Sequence, residues 1–351
     1  MMKCDIILPI CDQFEYAKGC IESIIAKTYT PYRIIIINNG KDEHTKIYLK
    51  GLRAANRCEV EIVENEENIG WVRAINKGIE ISDAPYLCFQ NDDTLVTDNW
   101  LGKMLAIFGK DGRIGIINPT WEGKPLSQDI DSFARHLEKY KGKFIETDWA
   151  RGFCVLVKRE VVDRIGGLDD IFSPAYFDDV DFSVRAIEAG YLCVRALDTY
   201  VHHYRNKTFF EILRGPRWNE LHEKNKLIYY KRWGRPLKIA LILQKEAIAD
   251  GGYLNEAEAL SLYLARKQHR IYLYSPRGLN DKFEHTNIIK KVYPPPLFQL
   301  IKYLDINRNS ATVGRKRYAA VFNMGPRHGD PLDSIKEKVD SLKDETRREE
   351  D

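Results

Sequence analysis

The sequence predicts an α/β protein, a mostly parallel sheet flanked by helices on both faces, followed in the chain by a smaller C-terminal α/β unit. Over the first 100 residues, short β-branched runs alternate with segments whose apolar residues recur at helical spacing. Asparagines and aspartates cluster where those runs end, and the ligands of such sheets collect at the carboxyl ends of the strands. The chain has 351 residues, more than the roughly 250 to 300 at which a single core stops growing, so a second domain is expected.

Each element follows from local chemistry. Asp5 to Ile10 reads as a strand, Tyr16 to Lys27 as a helix, and Arg33 to Ile37 as a second strand closed by the turn signal Asn38-Asn39-Gly40. Thr45 to Asn56 forms a helix, Val60 to Glu64 a strand, Val72 to Ile81 a helix and Tyr86 to Gln90 a fourth strand. From Ile114 to Val157 the runs IGIINP and GFCVLV surround a polar stretch, Lys124 to Lys143, expected as a loop or helical excursion over the cleft. Gly166-Gly167-Leu168-Asp169 breaks the chain before a helix over Val180 to Ala189, which stops at Gly190. Phe209 to Trp233 is basic, aromatic and helical, and Gly234-Arg235-Pro236 ends it. Beyond, Lys238 to Leu243, Ile271 to Tyr274 and Tyr318 to Asn323 read as strands, Gly251-Gly252 as a turn, Leu254 to Arg266 as an amphipathic helix and Pro294-Pro295-Pro296 as a loop. The expected division is therefore 1–234, 235–330, and a charged tail over 331–351 that is a frayed helix or disordered.

Composition narrows the function classes. The 54 Lys and Arg against 51 Asp and Glu give a net charge of +3, which implies no general pull toward nucleic acid. The seven cysteines are scattered, odd in number and without a CxxC pair, which argues against a zinc cluster or a disulfide framework and fits a reducing cytosol. The first residues, MMKCDIILPICDQ, make a strand and not a signal peptide. No run approaches the ~18 apolar residues of a membrane span, so any membrane contact is expected to be peripheral, at the inner face.

Two acidic signatures stand apart from this background: Gln90-Asn91-Asp92-Asp93-Thr94 after a strand and Phe177-Asp178-Asp179-Val180-Asp181 before a helix. Carboxylates delivered to one cleft from a strand end and a helix start can hold a divalent metal and a general base. The alternatives are ordinary turn chemistry for the first and helix capping for the second.

The ordered series DIILPICDQFEYAKGCIESI, IIIINNGKDE, VENEENIGWVRAINKGI, YLCFQNDDTLV, GFCVLVKREV, IGGLDDIF, FDDVDFSVRAIEAGY and VHHY resembles family 2 glycosyltransferases of the single-Rossmann-like GT-A type, over residues 3 to 234. The branch it is most similar to contains bacterial rhamnosyltransferases. The resemblance implies an inverting, metal-dependent transfer of a sugar from a nucleotide-diphosphate donor, dTDP-rhamnose or a UDP-sugar, to a glycan or lipid-linked acceptor in surface polysaccharide synthesis. It assigns Asp93 to a Mg²⁺ or Mn²⁺ ion together with one of His202 and His203, and Asp92 to the ribose or the metal. Asn91 stands where many members have a further Asp, so the site has one fewer charge. Asp179 takes the part of the catalytic base, with Asp178 in the position of the usual Glu on the acceptor side; Asp181 is as readily a structural acid. Pro9, Asp12, Glu15 and Asn39 fall around the nucleotide base, and Arg73 near the diphosphate. Trp71 either stacks in the site or packs, and Arg205, Lys207, Arg214 and Arg217 add positive charge that suits phosphate groups or a solvated helix face.

The unit from residue 235 resembles half of a GT-B type glycosyltransferase, which leaves open a fragment of a longer bifunctional enzyme or an appendage for association, including a homo-oligomer. A sugar-phosphate nucleotidyltransferase is disfavoured because its Gly-rich basic loop is absent after Ile7-Leu8-Pro9. The alternative from another class is a non-catalytic glycan- or nucleotide-binding module.

Overall fold

The computed structural model describes residues 3–124, 128–204, 216–279, 281–310, 318–326 and 329–348. Arg205, Lys207 and Arg214 lie outside the described residues, as does the side chain of Arg217. The chain divides into two compact units, Met1–Ile145 with Trp149–Lys226, and Glu146–Asp148 with Leu227–Asp351.

The first unit opens with β1 (Cys4–Ile10), α1 (Phe14–Lys27), β2 (Tyr32–Asn38), α2 (Glu43–Ala55), β3 (Glu59–Glu64), α3 (Gly70–Ile81) and β4 (Tyr86–Gln90). Then come β5 (Thr94–Val96), α4 (Trp100–Ile107), β6 (Ile114–Thr120), α5 (Ile130–Leu137), β7 (Phe144–Thr147) and β8 (Cys154–Lys158). It continues with α6 (Arg159–Ile165), α7 (Asp178–Glu188), β9 (Leu192–His203) and the start of α8 (Pro216–Trp233). Alternation along the strands builds two cores. Ile6, Leu8, Ile34 and Ile36 face α1 and α4 through Cys20, Ile21, Ile24, Trp100 and Leu101. Ile7, Ile35 and Ile37 face α3 and α7 through Val72, Ile75 and Phe182.

The strands run in the order β3-β2-β1-β4-β8-β6-β9-β5, with β7 also on β9. β3 to β4 are parallel, and β8 enters antiparallel between β4 and β6. This reversal matters for position: the start of β8 lies beside the end of β4, with Cys154 opposite Gln90. β9 is parallel to β6, so its carboxyl end, His203, emerges at that same edge of the sheet. Within the polar stretch, Ile130–Leu137 is helical: α5 is capped by Asp129, whose carboxylate accepts from the Ser132 N–H at 2.9 Å, and it buries Phe133 and Leu137 against Tyr200 of β9.

The second unit contains β10 (Lys238–Leu243), α9 (Lys245–Ala249), α10 (Gly251–Arg266), β11 (Arg270–Ser275), β12 (Ile288–Val292), α11 (Pro295–Ser310), β13 (Ala320–Met324) and α12 (Leu332–Arg348). Its sheet is parallel throughout, in the order β12-β11-β10-β13. Three expectations are corrected here. Gly251-Gly252 is the first turn of α10, because Asp250 caps it by accepting from the Tyr253 N–H at 3.1 Å. The prolines open α11, where a missing N–H costs nothing. The charged tail forms α12, with Ile335 and Val339 fully buried in the second core and Asp340 3.2 Å from Lys267. Leu332 and Leu342 pack on the same core at helical spacing, so one narrow apolar stripe anchors a helix that is otherwise charged.

α3 approaches β1 closely at Gly78, where an added Cβ would stand 2.3 Å from Ile7 Cγ2. Gly78→Ala is expected to destabilise the first unit by about 1–2 kcal/mol, because overpacking outweighs the roughly 1 kcal/mol that alanine gains in helix propensity. The midpoint of denaturant unfolding reads this; an unchanged or raised midpoint would show that the contact is slack.

Candidate active site

The turn after β4 is built by backbone and hydroxyl groups. Thr94 Oγ1 donates to the Asn91 carbonyl at 2.8 Å, and the Asn91 N–H donates to the Phe153 carbonyl at 2.9 Å. Asp92, buried, accepts from the Cys11 N–H at 3.4 Å, which ties it to the end of β1. Asp93, also buried, has Oδ1 3.1 Å from His203 Nε2, and Asn91 Nδ2 lies 3.4 Å from the same nitrogen. β5 pairs with β9 so that Thr94 faces His203 and Leu95 faces His202. Adjacent strand residues point to opposite sides, and the structure selects His203 for the acidic turn. His202 turns away, with Nδ1 3.2 Å from the Tyr200 hydroxyl and its ring edge-on to Tyr204.

At the ends of β1 and β2, Asp12 Oδ1 accepts from the N–H groups of Lys41 and Asp42, at 2.8 and 2.9 Å. Gly40 is required there, since a Cβ would stand 2.5 Å from the Asp12 nitrogen. Asn39 is buried and accepts from Asn65 Nδ2 at 2.7 Å. Cys11, between these groups, is held by an Asn68 amide donor, and burial followed by the charges of Asp12 and Asp92 pushes its thiol up to about 12.

The second cluster starts α7. Tyr176 and Phe177 both have positive φ, +77° and +66°, a conformation costly for bulky residues. Asn225 of α8 holds this loop by donating to the carbonyls of Phe172, Ala175 and Tyr176. Asp178 is buried and accepts from Trp71 Nε1 at 3.1 Å. Burial, then the neighbouring Asp179 charge, pushes the Asp178 carboxyl up to about 8. Asp179 accepts from the Gly152 N–H at 2.9 Å and the Val180 N–H at 2.8 Å; burial raises its pKa, while these donors and Arg151 pull the other way. Both aspartates and Trp71 line a small, mostly apolar cavity with Phe89, Gly152 and Phe182. Asp181 is fully buried in an ion pair with Arg185 Nε at 2.7 Å, and Arg185 also donates to the Ile165 and Gly167 carbonyls. It is a structural acid.

One short run touches both clusters. The Gly152 N–H holds Asp179, the Phe153 carbonyl accepts from Asn91, and the Phe153 ring stacks on His203 with centroids 5.0 Å apart. The antiparallel entry of β8 beside β4 brings this run to the strand ends.

Residues 5–166 match the family model described as glycosyl transferase family 2. The chain carries a family 2 glycosyl transferase domain. It is similar to Glycosyltransferase AglE of Haloferax volcanii, 24% identical over 60% of this chain and 69% of that protein. It also resembles the putative glycosyltransferase EpsH of Bacillus subtilis, 26% identical over 62% of this chain and 68% of that one. In fold it resembles GalNAc-T7, solved with UDP, GalNAc and Mn²⁺, with a TM-score of 0.51, 17% identity, 66% of this chain and 50% of that one. The mannosyltransferase PcManGT of Pyrobaculum calidifontis, with GDP-Man and Mn²⁺, gives a TM-score of 0.50, 16% identity, 67% and 65% coverage. The chain thus spans about half to two thirds of these two structures, and they share the GT-A fold with it.

Four further expected site residues are placed as follows. The Arg73 guanidinium is exposed and forms a two-pronged ion pair with Asp170, at 2.8 and 3.0 Å, so its fork is spent on a surface carboxylate. Pro9 is buried inside β1, opposite Ile37 of β2. Glu15 lies exposed in the first turn of α1. Asp12 bonds the β2–α2 loop, which makes it a positioning group for the strand ends. The donor set at Asp93 fits a divalent cation: a buried carboxylate oxygen and an imidazole nitrogen converge within 3.1 Å. Among the described residues no three His, Cys, Asp or Glu side chains gather as ligands, so phosphate oxygens and water would complete such a shell.

The Asp178 shift makes a signed prediction. A carboxyl with a raised folded-state pKa contributes stability that is full below its unfolded value, near 4, and is lost as pH rises through about 8. Asp178→Asn, which keeps an acceptor for Trp71, is therefore expected to fold and to lose less stability than the wild type between pH 5 and 8. Parallel unfolding curves at both pH values measure the difference; equal slopes would mean that Asp178 is ionised throughout.

Proposed function

We propose that this chain is an inverting glycosyltransferase that moves a sugar from a nucleotide-diphosphate donor to a hydroxyl of a glycan acceptor. The observation that carries the reading is the Gly152–Phe153 run, which joins the Asp92–Asp93–His203 cluster to the Asp178–Asp179 pair. Asp93 and His203 hold the divalent cation, and the mixed oxygen and nitrogen donors favour Mn²⁺ over Mg²⁺. When bound, the ion neutralises the leaving diphosphate. Asp92 and Asn39, tied through Cys11 to the ends of β1 and β2, line the nucleotide side. The acceptor oxygen attacks the anomeric carbon as the bond to the diphosphate breaks, and Asp179 takes the acceptor proton. Its raised pKa makes it a stronger proton acceptor than an exposed aspartate. Asp178, protonated against Trp71, keeps the second charge off the pair and shapes the acceptor side.

dTDP-rhamnose and UDP-sugars are the proposed donors, and surface polysaccharide assembly, at the inner face of the membrane when the acceptor is lipid-linked, is the proposed setting. Among the described residues no helix is long and apolar enough to cross a membrane.

Calorimetry of the full chain with UDP, dTDP and GDP, in Mn²⁺, Mg²⁺ or EDTA, tests the donor class: one nucleotide is expected to bind only with metal. No binding by any of them would leave a non-catalytic module. Asp93→Ala is expected to abolish the metal dependence. Asp179→Asn is expected to keep donor binding and lower turnover about 100-fold or more; turnover equal to wild type would remove Asp179 as the base.

A further inference from the structure

We propose that Arg151 and Arg195, held on the indoles of Trp121 and Trp149, form an acceptor subsite that selects a sugar bearing an anionic group, a carboxylate or a phosphate. The proposal rests on the transferase reading for the word acceptor, but its chemistry stands on the cluster alone. The Arg151 guanidinium carbon lies 4.5 Å from the Trp149 ring centroid and 4.9 Å from that of Trp121, and Arg195 lies 5.4 Å from Trp121. The Arg151 guanidinium thus lies over two indoles, which hold it in place while its N–H groups can meet a planar or tetrahedral anion. The Arg151 backbone is fixed as well, its N–H donating to Asn118 Oδ1 at 2.6 Å and its carbonyl accepting from Asn118 Nδ2 at 3.1 Å.

Arg195 adds the second charge. It is half-buried, burial and the nearby Arg151 both disfavour its protonated form, and Glu122 opposes them. Among the described residues its Nε has no hydrogen-bond partner although it is buried. Two guanidinium groups sharing one indole repel each other, and an anion received between them satisfies both with charge-assisted hydrogen bonds. The location defines the ligand. The residue after Arg151 is Gly152, whose N–H holds Asp179, and Trp121 packs edge-on against Phe153, which stacks on His203. A sugar whose hydroxyl reaches Asp179 would bring a substituent on the same or the next ring to the arginines, and the indole edges supply apolar surface for its C–H face.

The test uses the full chain and three probes: a galacturonic acid trimer, a glycerol phosphate trimer and neutral maltotriose, followed by saturation-transfer NMR and tryptophan fluorescence, with UDP and Mn²⁺ binding measured alongside by calorimetry. One anionic probe is expected to bind at least about 10-fold tighter than maltotriose, and Arg151→Lys and Arg195→Lys to lose about 10-fold for it, because a lysine keeps the charge but not the stacked fork. Nucleotide binding is expected to be unchanged in both variants. The better probe says whether the site takes uronates or phosphodiesters. Equal binding of all three probes, binding of none, or unaltered affinity in both variants overturns the proposal. Nucleotide binding without anionic-probe binding sinks the subsite alone; anionic-probe binding without nucleotide binding keeps the subsite and sinks the transferase reading.

Discussion

Three cross-strand pairs, Thr94 with His203, Leu95 with His202 and Val96 with Val201, determine the chemistry of the acidic turn. β9 is the longest strand of the first sheet, and its parallel pairing with β6 fixes how far it reaches toward the strand ends. The register with β5 then decides which imidazole meets Asp93, and the Tyr204 N–H extends the ladder by donating to the Asp93 carbonyl at 3.0 Å. A slip of one residue would turn His203 outward and bring His202 to the carboxylate. The apolar cores on both faces of the sheet forbid that slip, because it would also expose Val201 and Val194. Packing far from the turn thus specifies the two donors at its tip.

The two aspartates at the start of α7 show how a single peptide step separates roles. Asp178 meets the Trp71 indole and the backbone N–H groups of Tyr176 and its own residue, with no cation beside it among the described residues, while Asp179 faces the Gly152 and Val180 N–H groups and the nearby Arg151 guanidinium. Two adjacent carboxylates cannot both ionise cheaply in a buried setting, and the one beside the Arg151 guanidinium keeps the charge. The strained Tyr176–Phe177 backbone and the Asn225 amide that braces it are what turn the two side chains in different directions. Asp181, one turn on, is paid off by Arg185 and takes no part.

Much of the first unit was legible in the sequence because apolar periodicity and turn residues act locally. The strands and helices from Cys4 to Gln90 lie within a few residues of where the pattern puts them. The reversed strand β8 was not legible, since GFCVLV reads the same in either direction. Arg73 was drawn toward the donor by its motif, and its partner, Asp170, is 97 residues away in the chain. Which of two adjacent histidines faces Asp93 needed the β5–β9 register. The Trp149-Ala150-Arg151 spacing did carry a signal, two large stacking groups two residues apart and so on one side of an extended chain, but its meaning depends on Trp121, just after β6, and Arg195 of β9. The last segment was read as a frayed helix or a disordered tail, and what the charges concealed is the packing of Leu332, Ile335, Val339 and Leu342, one stripe at helical spacing, on the second core.

The distance along the chain between the acidic turn and its imidazole has a kinetic side. Asn91 and His203 are separated by 112 residues, and the Gly152–Phe153 run, which touches both aspartate clusters, lies between them in sequence. A ribosome releasing the chain exposes β1 to β4 well before β9 exists, so the early strands can pair while the site is still unbuilt. Contacts of such long range are reached late, after loop closure has been offset by the core. A nascent chain halted before residue 192 would therefore hold the nucleotide-side strands without the imidazole that faces Asp93, and binding competence would appear as one of the last events of the first unit's folding.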